Sequence, residues 1–303
     1  MSRSLTSNSG RRTAITAAPV LLTVLAALAV TGTGCDELSA RRGVQKGDKL
    51  YGQAKYHDAV EQYEEALAKS DLEVGHHNAG LAYYKIFTGD PTAKEDERKE
   101  YAEKSASHFL KYLESSPNDR RVIDLLTQIW IDSDQYQKAI DYWTKVLAKD
   151  PKDPGVLTRL ADVNRKAGKF EVAVDWLNKR VEAEVDEAGK AGAYRDIASV
   201  QFSRLTRTDL VDEERMGVAD SALKALGEAI KLNPDNPQLY GLTAGVFLYR
   251  SQAHGATWAR TVDAASQRYY NLAARKTAAA SAPKPEDAKP EDGKDKPKPG
   301  EQK

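Results

Sequence analysis

Residues 135–151 read QYQKAIDYWTKVLAKDP. Two other windows lie over them at a spacing of 34 residues, YAEKSASHFLKYLESSP at 101–117 and KFEVAVDWLNKRVEAEV at 169–185. Ser105, Ala139 and Ala173 align as small residues. Four positions on come Phe109, Trp143 and Leu177, and eight positions on come Leu113, Leu147 and Val181. Pro117 and Pro151 close the first two units. Apolar residues at i, i+4 and i+8 make the stripe of a helix that buries one side. A strict period of this length belongs to stacked two-helix units, each too small to bury its own apolar face. The spacing therefore predicts an all-α solenoid of helical hairpins.

Working outward, GDKLYGQAKYHDAVEQYEEALAK (47–69) carries the same wording, with Gly47, Tyr51, Tyr56, Ala59, Tyr63, Ala66 and Leu67. A small residue on the first helix (Gly47, Thr127, Ala161) is expected to face one on the second (Ala59, Ala139, Ala173). Two helices can then approach closely, with Tyr63, Trp143 and Leu177 filling the space beside the contact. Together these units resemble the tetratricopeptide repeat family, and about six copies are expected. Two are interrupted. Gly80 to Ser105 spans 25 residues and Ala198 to Ala222 spans 24, where Gly47 to Ala59 spans 12. We read the extra residues as N-terminal extensions of the second helices, with Asp90–Pro91 and Thr208–Asp209 as start signals. Pro237 opens a sixth unit. The segment from Trp258 on, with Trp258, Val262, Ala265, Tyr269 and Leu272 on one face, is expected to cap the stack, which needs a polar outer face there.

The two ends differ in material. Residues 1–34 place Arg3, Arg11 and Arg12 ahead of the apolar run PVLLTVLAALAV, the order of a secretory signal. The run is shorter than the ~20 residues of a spanning helix. TGTGC follows, and Cys35 is the only cysteine in 303 residues. This arrangement resembles the processing site of bacterial lipoproteins, which implies acylation of Cys35 and a membrane anchor. Gly32 stands where that pattern has an apolar residue. Ordinary cleavage beside an incidental cysteine, or an uncleaved anchor, also fits the residues. Residues 276–303 contain no large apolar side chain and alternate Lys with Asp and Glu among prolines, so disorder is expected. The expected organisation is a signal at 1–34, a repeat domain at 35–275 and a tail at 276–303.

Composition narrows the function. Lys and Arg number 45, as do Asp and Glu, so the chain has no basic footprint for nucleic acid. A lone cysteine excludes internal disulfides. His76 and His77 are adjacent, about 100° apart around a helix, and unsuited to chelating one metal. His57, His108 and His254 have no ligand companions at metal spacing, and no glycine-rich phosphate loop occurs. The expectation is a non-enzymatic protein with no cofactor, no metal and no small-molecule substrate.

In tetratricopeptide repeats the first helices line a concave groove that accepts an extended peptide or a partner helix. The resemblance implies that Tyr51, His77, Tyr84, Gln128, Arg165, Arg195 and Phe202 point into it. Tyr51 and Tyr84 fit packing between repeats equally well. Tyr and Arg suit such a role because they bury large area yet keep polar tips. Some relatives clamp a terminal carboxylate; the matching positions here are Val44, Asp48, Asn78, Arg121 and Leu125, fragments of that clamp. The whole resembles repeat lipoproteins that assist outer-membrane assembly, pilus or motility machinery. The expected partners are therefore envelope proteins, and the expected location is the periplasmic face of a membrane, the outer one preferred. A soluble periplasmic adaptor or a cell-wall-associated binding factor are the other readings.

Overall fold

A computed structural model of the protein describes residues 18–89 and 94–282, with side chains from residue 34 onward. Among these residues there are twelve helices and no strand. The chain divides into two compact units at Asp134/Gln135. The first holds α1 (Ala18–Gly52), α2 (Tyr56–Leu67), α3 (Glu73–Gly89), α4 (Glu95–Ser115) and α5 (Arg120–Asp132). The second holds α6 (Tyr136–Leu147), α7 (Pro154–Lys166), α8 (Phe170–Ala183), α9 (Glu187–Leu205), α10 (Asp212–Leu232), α11 (Pro237–Ala253) and α12 (Trp258–Ser281). Within each unit every helix packs on the next, and first helices also touch, α1 with α3 and α9 with α11.

Sequence dictates the helix starts in two ways. Most first helices open on a polar cap. Asp119, Asp153, Asp186 and Asn236 each accept from a backbone N–H of the first turn, and Pro154 and Pro237 occupy the first helical position. Second helices of the short hairpins have no side-chain cap and are entered through a left-handed residue instead. Ala54 (φ 59°), Asp134 (φ 58°) and Gly168 (φ 75°) each stand five residues before the aligned small residue.

The expected close approach is present. Ala59, Ser105, Ala139, Ala173 and Ala222 are fully buried. A Cβ on Gly47 would meet the Tyr63 ring, and one on Gly80 the Phe109 ring. Ser105 adds a tie of its own, donating from Oγ to the Gly80 carbonyl at 2.8 Å.

The insertions lengthen both helices of their hairpins. α4 and α10 begin ten residues before Ser105 and Ala222, where α2 begins three before Ala59. The expected N-terminal extensions are therefore present, but α3 and α9 also run on past their small residues to Gly89 and Leu205. The start signal at Thr208–Asp209 is corrected: the helix starts at Asp212, with Asp212, Glu213 and Glu214 in its first turn facing the positive end of the dipole. Asp90–Pro91 lies outside the described residues.

At the other end, α12 packs by a face other than the expected one. Trp258, Val262, Tyr269 and Leu272 are 79%, 50%, 66% and 51% exposed. Asp263 is buried instead, and Tyr270 stacks on Phe247 and Tyr240. The cause is electrostatic. Arg250 of α11 donates to both Asp263 oxygens at 2.9 and 2.6 Å, and His254 Nε2 lies 3.1 Å from the same carboxylate. A buried charge must be satisfied, so this pairing sets the helix rotation. α12 also continues through Ser281, into the stretch expected to be disordered from residue 276. Its last turns are rich in alanine, the best helix former.

Candidate functional site

In the first unit the first helices meet at a cleft lined by Asp48 and Tyr51 of α1, Tyr63 of α2, and Asn78 and Leu81 of α3. Asp48 Oδ1 accepts from both Tyr63 Oη and Asn78 Nδ2, each at 2.8 Å. The two clamp-like fragments, Asp48 and Asn78, thus bind each other. Burial and then the Asp48 bond push the Tyr63 phenol pKa well above its ordinary value, so Tyr63 stays a donor. Tyr51 is half-buried and meets Tyr56 edge-on at 5.3 Å. Burial, then Tyr56, raises its pKa.

Other expected groove residues of this unit divide between cleft and packing. His77 takes a bond with Asn78 Oδ1 at 2.9 Å and lies 5.0 Å from the Tyr112 ring of α4. Tyr84 is half-buried on α3. Gln128 of α5 donates to Asp132 one turn on.

A second cleft runs between α7 and α9, with Thr158, Asp162 and Arg165 on one wall and Asp196, Ser199 and Ser203 on the other. Of the two expected arginines Arg165 lines this cleft, Arg195 stands beside its lining residue Asp196, and both are already paired. Arg165 Nη2 donates to Asp162 at 2.6 Å, and Arg195 directs Nε and Nη2 to Asp196 Oδ1 at 3.0 and 2.8 Å. Asp196 Oδ2 also accepts from Arg180 at 2.6 Å, and Arg180 holds Glu184 at 2.9 Å. The wall is polar, but its charges are neutralised in place. Phe202 packs against α11: it meets the Tyr249 ring at 5.6 Å, and a Cβ on Gly245 would lie 2.9 Å from it.

A tetratricopeptide repeat model matches residues 131–192. That stretch contains the helices lining one wall of the second cleft and the start of the other. No curated protein matches the chain. Solved structures similar to it include YrrB, a TPR protein with an unusual peptide-binding site, at 17% identity over 65% of this chain and 87% of that one, with a TM-score of 0.37. MamA is similar at 18% identity over 63% and 98%, with a TM-score of 0.40. So is the C-terminal part of a TPR repeat-containing protein from Cytophaga hutchinsonii, at 13% over 78% and 80%, with a TM-score of 0.42.

One constellation escaped the sequence reading. His76 Nδ1 and His108 Nδ1 face each other at 2.9 Å across α3 and α4. His76 Nε2 reaches Asp71 at 2.8 Å, and His108 Nε2 reaches Glu64 at 3.0 Å, which also accepts from Tyr83 Oη at 2.9 Å. Burial lowers the His108 pKa more than Glu64 raises it. The two histidines are 32 residues apart, close to the repeat period, but only the inserted hairpin's geometry brings them together. His76 and His77 turn to different neighbours, as their adjacency requires. Among the described residues no three His, Cys, Asp or Glu side chains converge to hold a metal.

Proposed function

We propose that the chain is a protein-binding scaffold of a bacterial cell envelope, holding an extended peptide or partner helix against its first helices. The observation that carries the reading is the pair of clefts, each between consecutive first helices of one unit, floored by packed apolar residues and walled by polar tips. Asp48, Asn78, Arg165 and Asp196 are held by bonds within the chain, so a ligand meets a preorganised surface, which lowers the cost of binding. Stacked hairpin repeats use such surfaces for proteins and peptides.

The envelope location rests on the order of the first 35 residues. Anchoring at Cys35 is compatible with the packing. Cys35 is exposed, and among the residues described with side chains the first buried one is Ala40, five positions on. Two acyl signals suffice for a stable anchor.

Metabolic labelling with palmitate, comparing the chain with Cys35→Ala, tests the anchor: incorporation should be lost and the protein should leave the membrane fraction. Unlabelled wild-type protein would remove the envelope lipoprotein reading and leave that of a soluble adaptor.

A further inference from the structure

The exposed stripe of α12 has a narrow spacing. Trp258, Val262, Ala265, Tyr269 and Leu272 follow one another at intervals of four, three, four and three residues. At 100° per residue they fall within about 80° of arc, the a/d seam of a two-stranded coiled coil, not the broader face of a helix buried in a core. None of the four large side chains is covered. The opposite side of α12 is engaged by α11 through Asp263 and Tyr270. Near the start of the seam, Met216 of α10 lines a shallow pocket with Trp258 and Val262, where the seam meets the Asp220, Arg250, His254 and Asp263 cluster.

Charge decides what fits there. α12 carries Arg260, Arg268, Arg275 and Lys276 against one acid, Asp263, and that acid is buried under Arg250. Arg268 and Arg275 are seven residues apart, on the same flank of the seam, and both are exposed with no acidic partner among the described residues. In a helix pair, residues flanking the seam choose the partner through opposite charge. A second copy of α12 laid antiparallel would set these arginines against their own counterparts. The tail beyond the described residues has no large apolar side chain to fill the seam.

We infer that α12 is a docking site for an amphipathic helix of another protein, one with two heptads of apolar seam flanked by Asp or Glu facing Arg268 and Arg275. The surface is separate from the first-helix clefts and stands or falls independently of them. Over the 14 steps from Trp258 to Leu272, at 1.5 Å rise each, the contact is about 21 Å long.

The test uses the full chain and two fluorescent synthetic helices of about three heptads, with Leu along the seam and either Glu or Lys flanking it. Fluorescence anisotropy should show the Glu helix binding roughly tenfold tighter than the Lys helix, with the preference fading at high salt. Arg268→Glu with Arg275→Glu should invert that preference. Val262→Ser with Tyr269→Ser, both at exposed positions, should abolish binding of either helix without altering the circular dichroism. Equal binding of the two helices, or binding that survives the serine pair, overturns the proposal. So does a stripe-dependent dimer in sedimentation, or stripe-dependent flotation with phosphatidylglycerol vesicles, when the Glu helix fails to bind.

Discussion

Gly80 of α3 lies directly beneath the ring of Phe109 on α4: a Cβ placed there would be 2.7 Å from Cε1 and 2.8 Å from Cδ1 of that ring. Gly47 and Tyr63 stand in the same relation one hairpin earlier, at 2.4 and 2.6 Å. The rings belong to the helix that must close on the glycine, and Phe109 is fully buried, so neither side can yield cheaply. The hairpin packs because one helix offers no side chain where the other offers a ring.

Gly80→Ala and Gly47→Ala should therefore each destabilise the protein by about 1–3 kcal/mol through overpacking. Helix propensity alone predicts the reverse, a gain near 1 kcal/mol. Gly217→Ala on α10, where a Cβ meets nothing within 4 Å, should show that gain. Urea unfolding of the three variants separates the two effects by sign.

Ala54 holds a left-handed conformation at the first hairpin turn, at the position Gly168 occupies in a later one. An L-residue other than glycine is disfavoured there by roughly 1–2 kcal/mol. Ala54→Gly should raise stability by about 1 kcal/mol, and Gly168→Ala should lower it by a similar amount. Thermal unfolding of both variants checks the pair.

Arg250 and Asp263 should be strongly coupled. Arg250→Ala leaves the buried Asp263 carboxylate with His254 alone and should cost roughly 3 kcal/mol, whereas Asp263→Ala leaves Arg250 its bond to Asp220 and should cost less. The damage should be local to the last hairpin. Limited proteolysis ought to cut first within α12 in the Arg250→Ala variant, and equal cleavage in the wild type would argue against the pairing as its clasp.

Lowering the pH should weaken the α3–α4 hairpin. Burial depresses the His108 pKa below its ordinary value, about 6.5, so the unfolded chain binds more protons as pH falls through that range. The contribution is complete above about pH 6.5 and is lost below it. Glu64, Asp71, Tyr83, Lys104 and Lys111 are the other titratable groups around the pair of His76 and His108. Urea midpoints at about pH 7.5 and 5.5 should differ in the wild type and converge in His108→Gln.

Periodicity was enough to read the hairpins, because the same small residue and ring recur at one spacing and only one helix pairing satisfies them. The start of the sixth unit was legible at Pro237, and the Asp153–Pro154 start could have been read by the same signal. The rotation of α12 was not. An apolar stripe is ordinarily the buried side, and the Arg250–Asp263–His254 cluster that turns it outward joins residues on two helices with no shared period. The pairing of His76 with His108 was hidden for a related reason, since it depends on how an interrupted hairpin closes. Arg165 and Arg195 looked free for a partner. Their own neighbours, Asp162 and Asp196, were visible three residues before and one after, and take the charge first.

Photo-crosslinking in cells tests the scaffold reading most directly, with a crosslinkable residue placed in turn at Tyr51, Tyr84 and Ser199 on first helices and at the exposed Leu110 and Val172 on second helices. The account predicts that the first-helix positions capture a common protein and that Leu110 and Val172 do not. Capture from Leu110 and Val172, with none from Tyr51, Tyr84 and Ser199, would contradict it.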